Sequence, residues 1–120
     1  MKTKFEVLKL TNGRLIISKT GKDLSTGLLH LFPESSLEKH NRPVDEQLIQ
    51  VRGKSVIELR NGRKINKAEL REGDELFIPA RQFHTHTNPF DTDSVTAWRF
   101  DGDITEVIEE LRKNSTEALL

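Results

Sequence analysis

The amino-acid sequence predicts an all-β domain, a small antiparallel sandwich or barrel, with one helix near its C-terminal end. About eight short strand-like segments follow one another at close spacing, and glycine-rich turns separate them. Asn-Gly pairs at residues 12–13 and 61–62 each stand between two such segments, which is a strong hairpin signal. Near the C-terminal end, one stretch has the periodicity of an amphipathic helix.

The first half of the chain is predicted to form hairpins of short strands. Asn12-Gly13 joins the first two segments, and Asn61-Gly62 joins a later pair. A strand between these hairpins is expected to end at Gly53. The segments are, in order, FEVLKL, RLIIS, GLLHLF, EQLIQV, SVIELR and RKI.

The second half continues in the same way and then changes to a helix. A turn at residues 72–74 precedes the strand ELFIP, and the segments FHTHTN and VTAWRF flank PFDTD as a third hairpin. The helix is predicted at about residues 103–114, with Asp103 as its N-cap. Its buried face follows the i, i+3, i+4, i+7 pattern and consists of Ile104, Val107, Ile108 and Leu111.

The sequence predicts a single domain over residues 1–114, and residues 115–120 are expected to be a frayed tail or an extension of the helix. The helix is expected to pack on the outside of the barrel or against a partner. Strands at the edges of open sheets are usually covered. We therefore predict a homodimer in which the N-terminal hairpin and the helix cover such edges.

Composition argues against several classes of partner. The chain has 19 basic and 19 acidic residues and a net charge of zero, so it is not expected to bind nucleic acid or an anionic membrane. It has no cysteine, which excludes disulfides, thiolate metal sites and thiol catalysis. No segment approaches the ~20 apolar residues of a membrane span, and the N-terminal segment has charges within its apolar run. A cytoplasmic location is the resulting prediction.

The histidines are the first candidates for chemistry. If residues 83–88 form a strand, His84, His86 and Asn88 share one face, because alternate residues of a strand point the same way. Such a polar row beside the apolar strand ELFIP indicates a cavity inside a small barrel. His30 shares a strand face with Leu28 and Phe32 and is therefore expected to be an interior or interface histidine.

The residues around His40 resemble the first sequence motif of the cupin family. That motif has a Gly, five residues, His-x-His, three or four residues, a Glu, six residues and a Gly. The last four places are taken here by His40, Arg42, Glu46 and Gly53. The opening Gly is absent, and Glu34 stands near its place.

A second segment resembles the second cupin motif, which has a Gly, five residues, Pro-x-Gly, two residues, a His, three residues and an Asn. Arg81 stands where the second Gly is expected. The matching residues, in register, are Gly73, Pro79, His84 and Asn88. The two motifs cover roughly residues 34–88, and the strand pattern extends the resemblance over most of the chain.

The resemblance implies a double-stranded β-helix, the cupin jelly-roll barrel, which is often a homodimer and often binds one metal ion. Carried over to this chain, the implied metal ligands are His40, Glu46 and His84. His86 lies two residues from His84 on the same face and is a possible additional ligand.

Arg42 replaces the second histidine of the family's first motif. A guanidinium has no lone pair and stays protonated, so Arg42 cannot coordinate a metal. Two histidines and one carboxylate remain, a ligand set that suits Fe(II), and Mn, Zn and Ni accept similar donors. The expected cofactor is a divalent transition metal of undetermined identity.

Arg42 also indicates an anionic ligand, because an arginine in a cavity binds carboxylates or phosphates in a bidentate manner. Gln50, four residues beyond Glu46, and Asn88 are further candidates for binding a small anionic or oxygen-rich substrate. Alternatively, Arg42 neutralises Glu46 in a buried ion pair that organises the site without a metal.

Three functions stay open at this point. The first is a metal-dependent cupin enzyme, such as an oxygenase or isomerase. The second is a metal-free cupin that binds or isomerises a sugar-like or acidic small molecule, with histidine as acid or base. The third is a non-catalytic module that senses or stores a small ligand.

Overall fold

The computed structural model describes residues 5–114 and 116–118. In this part of the chain, short strands alternate with turns and one helix follows the tenth strand. The elements are β1 (Glu6–Leu10), β2 (Gly13–Lys19), β3 (Ser25–Leu31), β4 (Ser35–Ser36), β5 (Glu46–Arg52), β6 (Ser55–Asn61), β7 (Lys64–Leu70), β8 (Glu75–Ile78), β9 (His84–Asn88), β10 (Ser94–Phe100), α1 (Thr105–Asn114) and β11 (Thr116–Ala118).

The strands form two antiparallel sheets. The larger sheet has seven strands in the order β11-β1-β2-β3-β10-β5-β8, and the smaller has four in the order β4-β9-β6-β7. Strands that are distant in sequence are neighbours in both sheets, as in a jelly roll. The predicted all-β jelly-roll barrel with one C-terminal helix is therefore confirmed.

Two of the three predicted hairpins are present, and the third is not. β1 pairs with β2 across Asn12-Gly13, and β6 pairs with β7 across Asn61-Gly62. The third prediction was wrong, because β9 pairs with β4 and β6 whereas β10 pairs with β3 and β5. The segment PFDTD thus crosses from one sheet to the other, a connection that short-range turn signals do not distinguish from a hairpin.

The core contains side chains from both sheets and from the helix. Leu29, Leu48 and Trp98 come from the larger sheet and Ile57 from the smaller, and all are at most 5% exposed. Ile108 of α1 joins the same cluster. Within the described residues, no helix is long and apolar enough to cross a membrane.

The helix begins at Thr105, two residues after the predicted start, and ends at Asn114 as expected. Asp103 accepts hydrogen bonds from the backbone N–H and the side-chain hydroxyl of Thr105. The helix packs on its own barrel, since Ile104 and Ile108 are 2% exposed. Its predicted role in covering a sheet edge of a partner stays a prediction.

The tail differs from the expectation of a frayed end. Residues 116–118 form β11, which pairs antiparallel with β1 and occupies an edge of the larger sheet. Backbone pairing of this kind depends on a strand distant in sequence, so local propensity does not reveal it. Residues 115, 119 and 120 lie outside the described residues.

Glu34 and Arg81 both have left-handed backbone conformations, with φ angles of 55° and 68°. They stand at or near the two places where the cupin motifs have glycine. The backbone at these turns thus keeps the conformation that favours glycine, although the side chains have changed. The Arg81 N–H donates to the Arg42 carbonyl oxygen at 2.7 Å, which joins the two motif segments.

Candidate metal centre and adjoining cavity

His40 and His84 are held together by their own backbones. The His40 N–H donates to the His84 carbonyl oxygen at 3.0 Å, and the His84 N–H donates to the His40 carbonyl oxygen at 2.9 Å. This isolated bridge places the first-motif histidine beside the first residue of β9. The spacing of the two imidazoles is therefore fixed by backbone pairing.

His86 completes a cluster of three imidazoles. Its ring centroid lies 5.4 Å from that of His40 and 5.1 Å from that of His84, and the His40 and His84 centroids are 4.4 Å apart. Each residue offers a ring nitrogen within 4.8 Å of those of the other two. The possible additional ligand thus lies in the same group as two of the three implied ligands, His40 and His84.

Backbone carbonyls fix the tautomers of two of these rings. His40 Nδ1 lies 3.1 Å from the Glu38 carbonyl oxygen, and His84 Nδ1 lies 2.8 Å from the Gln82 carbonyl oxygen. A carbonyl oxygen can only accept, so both Nδ1 atoms carry the proton and both neutral rings keep a lone pair on Nε2. A backbone carbonyl that orients an imidazole in this way is typical of metal-binding histidines.

Glu46, the third implied ligand, faces one of these lone pairs. Its Oε1 atom lies 3.3 Å from His84 Nε2, and both residues are at most 6% exposed at their side chains. Among the described residues, neither of these two atoms has a hydrogen-bond partner. The Nδ1 atom of His86 is also buried without one. Two buried acceptors that face each other require a positive charge between them, either a proton or a metal ion. This donor set of imidazole and carboxylate fits a divalent transition metal.

Burial keeps the histidines in the form that binds metals. Desolvation lowers the pKa of His40 to about 3, and the positive charge of Arg42 and the proximity of His84 act in the same direction. Desolvation also holds the pKa of His86 well below its usual range. Both imidazoles are therefore neutral at pH 7, and a metal ion does not have to displace their protons.

Arg42 lines the cavity beside this cluster. Its guanidinium forms no hydrogen bond or ion pair with the part of the chain that the structure describes. Burial lowers the pKa of Arg42, and the negative charge of Glu46 opposes that shift. The buried Arg42–Glu46 ion pair that was one alternative is thus absent within the described residues.

The cavity beside the cluster is partly open to solvent and has a volume of ≈ 70 Å³. Its polar end consists of His40, Arg42, Glu46 and His86, and α1 closes the other end with Val107 and Leu111. Sequence reasoning identified the apolar face of this helix but not its location. The sequence reveals the role of α1 in the cavity only in part, because periodicity shows which face of a helix is buried and not what that face packs against.

Gln50 and Asn88 do not reach this cavity. The Gln50 amide donates to the Arg52 carbonyl and Ser94 Oγ, and accepts from the hydroxyls of Ser55 and Thr96. This arrangement does not support a role for Gln50 in substrate binding.

Asn88 is likewise fully occupied. Its Nδ2 donates to the carbonyls of Leu31, Phe32 and Thr92, and its Oδ1 accepts from the Phe90 N–H. Asn88 therefore stabilises the segment that connects β9 to β10 across the two sheets. A substrate-binding role is not supported for Asn88 either.

His30 stands apart from the cluster, as expected. Its side chain is 20% exposed, its Nε2 lies 3.5 Å from Asp93 Oδ2, and its ring packs edge-on against Phe32. It provides a histidine outside the candidate metal centre for comparison.

Comparison with solved structures identifies the fold. A vicilin from Corylus avellana (hazelnut) superposes with a TM-score of 0.73 over 82% of this chain and 31% of its own, at 16% identity. Bacillus subtilis oxalate decarboxylase, studied for its Mn(II) centres, gives 0.73 over 82% of this chain and 28% of its own, at 21% identity. A recombinant oxalate oxidase in complex with glycolate superposes with a TM-score of 0.62 over 67% of this chain and 42% of its own, at 19% identity.

These three structures are cupin-fold proteins. The chain has the cupin fold. It spans less than half the length of each of these neighbours, and identities this low establish the fold alone. No model of a known protein family and no curated protein sequence matches the chain.

The cupin fold explains why the two motif segments meet. The first motif places His40 in the loop before β5 and Glu46 at the start of β5. The second motif places His84 at the start of β9. These segments belong to different sheets, and the jelly roll brings them together around the cavity. This chain departs from the cupin motifs at Arg42, which lines the cavity. It also departs from them at Glu34 and Arg81, which have left-handed backbone conformations.

Proposed function

We propose that this chain binds a divalent transition metal through His40, His84 and His86, with Glu46 beside them, and a small anionic molecule through Arg42. The observation that carries the proposal is the pair of imidazoles whose Nδ1–H groups are held by backbone carbonyls. Their Nε2 lone pairs stay available for a metal, and His84 Nε2 faces the carboxylate of Glu46 at 3.3 Å.

When bound, such a metal supplies Lewis acidity or, if it is iron or manganese, a centre for oxygen chemistry. The protein side chains have separate tasks. Arg42 binds and orients an anionic group, and the apolar residues around the cavity exclude water from it. The solved neighbours support this combination, since one has Mn(II) centres and another was studied with glycolate, a small acid.

Metal binding to protein purified without an affinity tag tests the proposal. After removal of metals with a chelator, equilibrium dialysis against Mn²⁺, Co²⁺ or Zn²⁺ is expected to give about one equivalent per chain. His84→Ala is expected to lower the affinity by about 100-fold, because it removes a ligand that backbone bonds hold in place. His30→Ala is the matched control and should bind metal like the original protein.

Less than about a tenth of an equivalent of every metal, with no gain in melting temperature, would contradict the proposal, because a ligand that binds only the folded state must stabilise it. The buried His84–Glu46 pair would then hold a proton. That outcome would favour the metal-free alternative, in which the two residues act as an acid–base pair on a small molecule.

We also propose that the chain forms a homodimer through the outer face of the larger sheet. A row of directly paired apolar residues crosses this sheet from β1 to β5, and its members are Val7, Ile16, Leu28, Ala97 and Ile49. Val51 and Phe77 extend it and are 52% and 55% exposed. An apolar row of this kind favours burial against another surface.

Light scattering at micromolar concentration tests the dimer. Ile49→Lys should produce monomers, whereas Ile65→Lys, at a similarly exposed isoleucine of β7, should leave the dimer intact. A monomeric original protein would contradict this part of the proposal. The cytoplasmic location expected from the sequence stays a prediction.

A further inference from the structure

The cavity beside the histidine cluster has two chemically different ends. Its charged end contains the Arg42 guanidinium, for which the described residues provide no ion-pair partner. The rest of its wall is almost entirely hydrocarbon and includes Trp98 and Phe100 of β10 and Val107 and Leu111 of α1. A ligand that matches both ends must carry one anionic group and one apolar group.

The apolar wall discriminates between acids of equal length. A second carboxylate beside Val107 and Leu111 would lose its hydration without gaining a hydrogen bond from these aliphatic side chains. A methyl group at the same place gains from burial, by about fourfold in Kd for each CH₂. The wall therefore favours monocarboxylates over dicarboxylates.

The size of the cavity limits the length of the apolar group. The cavity is partly open to solvent, and its volume of ≈ 70 Å³ has room for about five water molecules. An acid of about three to five carbon atoms would occupy a similar volume to these water molecules.

Building on the proposed function, we infer that the ligand is a short-chain monocarboxylate. Its carboxylate pairs with Arg42, and its alkyl group packs against Trp98, Val107 and Leu111. The ligand class differs from the small, wholly polar acids that the names of the solved neighbours mention.

Trp98 provides a direct readout, because it is the only tryptophan of the chain, the chain has no tyrosine, and its side chain lines the cavity. The zinc-loaded protein is titrated with acetate, butanoate and succinate while Trp98 fluorescence is recorded. Butanoate is expected to bind about tenfold or more tightly than acetate, given its two additional CH₂ groups. Succinate, which has the same chain length as butanoate but a second carboxylate, is expected to bind more weakly than butanoate.

Variants of the helix test the position of the alkyl group. Val107→Phe fills the apolar end and should remove the advantage of butanoate over acetate. Leu111→Ala enlarges the same end and should move the preference to a longer acid such as hexanoate. Glu110→Gln alters an exposed residue of the same helix and should change neither affinity.

Succinate binding as tightly as butanoate would overturn the inference, and so would an unchanged chain-length preference in both Val107→Phe and Leu111→Ala. Leu111→Ala decides the matter if Val107→Phe does not fold. Neither result would affect the metal centre, because zinc content is measured separately on the same samples. Failure to bind any of Mn²⁺, Co²⁺ and Zn²⁺ would instead overturn the proposed function.

Discussion

Arg42 introduces a positive charge beside the proposed metal centre. Its charge contributes to lowering the pKa of both His40 and His86, so it disfavours positive charge at these rings. The same repulsion acts on a bound metal ion. An anionic ligand between Arg42 and the metal would relieve it, and we therefore expect metal and anion to bind cooperatively.

Replacing Arg42 should separate the two kinds of binding. Arg42→Met is expected to raise metal affinity by about threefold to tenfold, because a like charge is removed, and to weaken butanoate binding by at least about tenfold. Arg42→Lys keeps the charge but loses the bidentate fork, so it should weaken butanoate binding while leaving metal affinity near its original value. Isothermal titration calorimetry measures both, and a loss of metal affinity in Arg42→Met would contradict this account.

The clustered histidines and Arg42 stay predicted site residues, whereas the amides of Gln50 and Asn88 have partners elsewhere. His40, His84 and His86 followed from motif spacing and strand alternation. Gln50 and Asn88 lie on suitable strands, yet their amides are saturated by partners such as Ser94 and Thr92. Whether these amides are available to a ligand depends on hydrogen bonds between residues that are distant in sequence. Strand periodicity carries no information about such bonds.

At the level of the elements, the turns before the two motif segments have a left-handed backbone conformation that residues with a Cβ atom rarely adopt. Arg81 has a φ of 68° at the place of a motif glycine, and Glu34 has 55° near the other. The left-handed conformation costs a residue with a Cβ atom roughly 1–2 kcal/mol. The surrounding hydrogen bonds, including that from the Arg81 N–H to the Arg42 carbonyl oxygen, offset this cost.

Restoring the motif glycine should therefore stabilise the protein relative to alanine at the same position. Arg81→Gly is expected to be more stable than Arg81→Ala by about 1 kcal/mol, because both lose the side chain and only glycine relieves the strain. Chemical denaturation of the two variants measures the difference. Equal stability, or a more stable alanine variant, would show that the turn is not strained.

The helix illustrates what sequence periodicity can and cannot predict. The predicted apolar face of α1 packs on the barrel of its own chain, with Ile104 and Ile108 buried and Val107 and Leu111 partly buried. Arg112 ties the helix to β1 by donating from Nε and Nη2 to the Glu6 carboxylate at 2.8 and 2.7 Å. Glu6 and Arg112 are too far apart in sequence for helical spacing to predict their contact.

For the whole molecule, the sequence predicted the fold class because each part of it has a local signal. Asn-Gly turns, alternating strands and one amphipathic helix were all recognisable, and motif spacing resembled one family. The division of the strands between two sheets was not predictable in the same way. The segment between β9 and β10, for example, has hairpin-like residues but crosses between the sheets.

The buried histidines should make the stability of the metal-free protein depend on pH. The pKa of His40 falls to about 3 in the folded state, whereas an unfolded histidine titrates near 6.5. Between these values the unfolded chain binds more protons, so stability is complete above about pH 6.5 and declines as pH falls towards 3. His86, whose pKa is also lowered, acts in the same direction.

The expected slope is up to about 1.4 kcal/mol per pH unit for each histidine, measured by urea denaturation with a chelator present. His40→Gln removes one of these groups and should give a shallower decline between pH 6.5 and 4. An identical decline in the variant would show that His40 does not contribute.

The most direct test of the metal centre is the side-chain ¹H–¹⁵N correlation spectrum of the four histidines, recorded before and after addition of zinc. Without metal, His40 and His84 should show the Nδ1–H tautomer that their carbonyl partners impose. One equivalent of zinc should shift the Nε2 resonances of His40 and His84 and one ring nitrogen of His86, and leave His30 unchanged. Unchanged resonances of the three clustered histidines in excess zinc, or a shift confined to His30, would contradict the account.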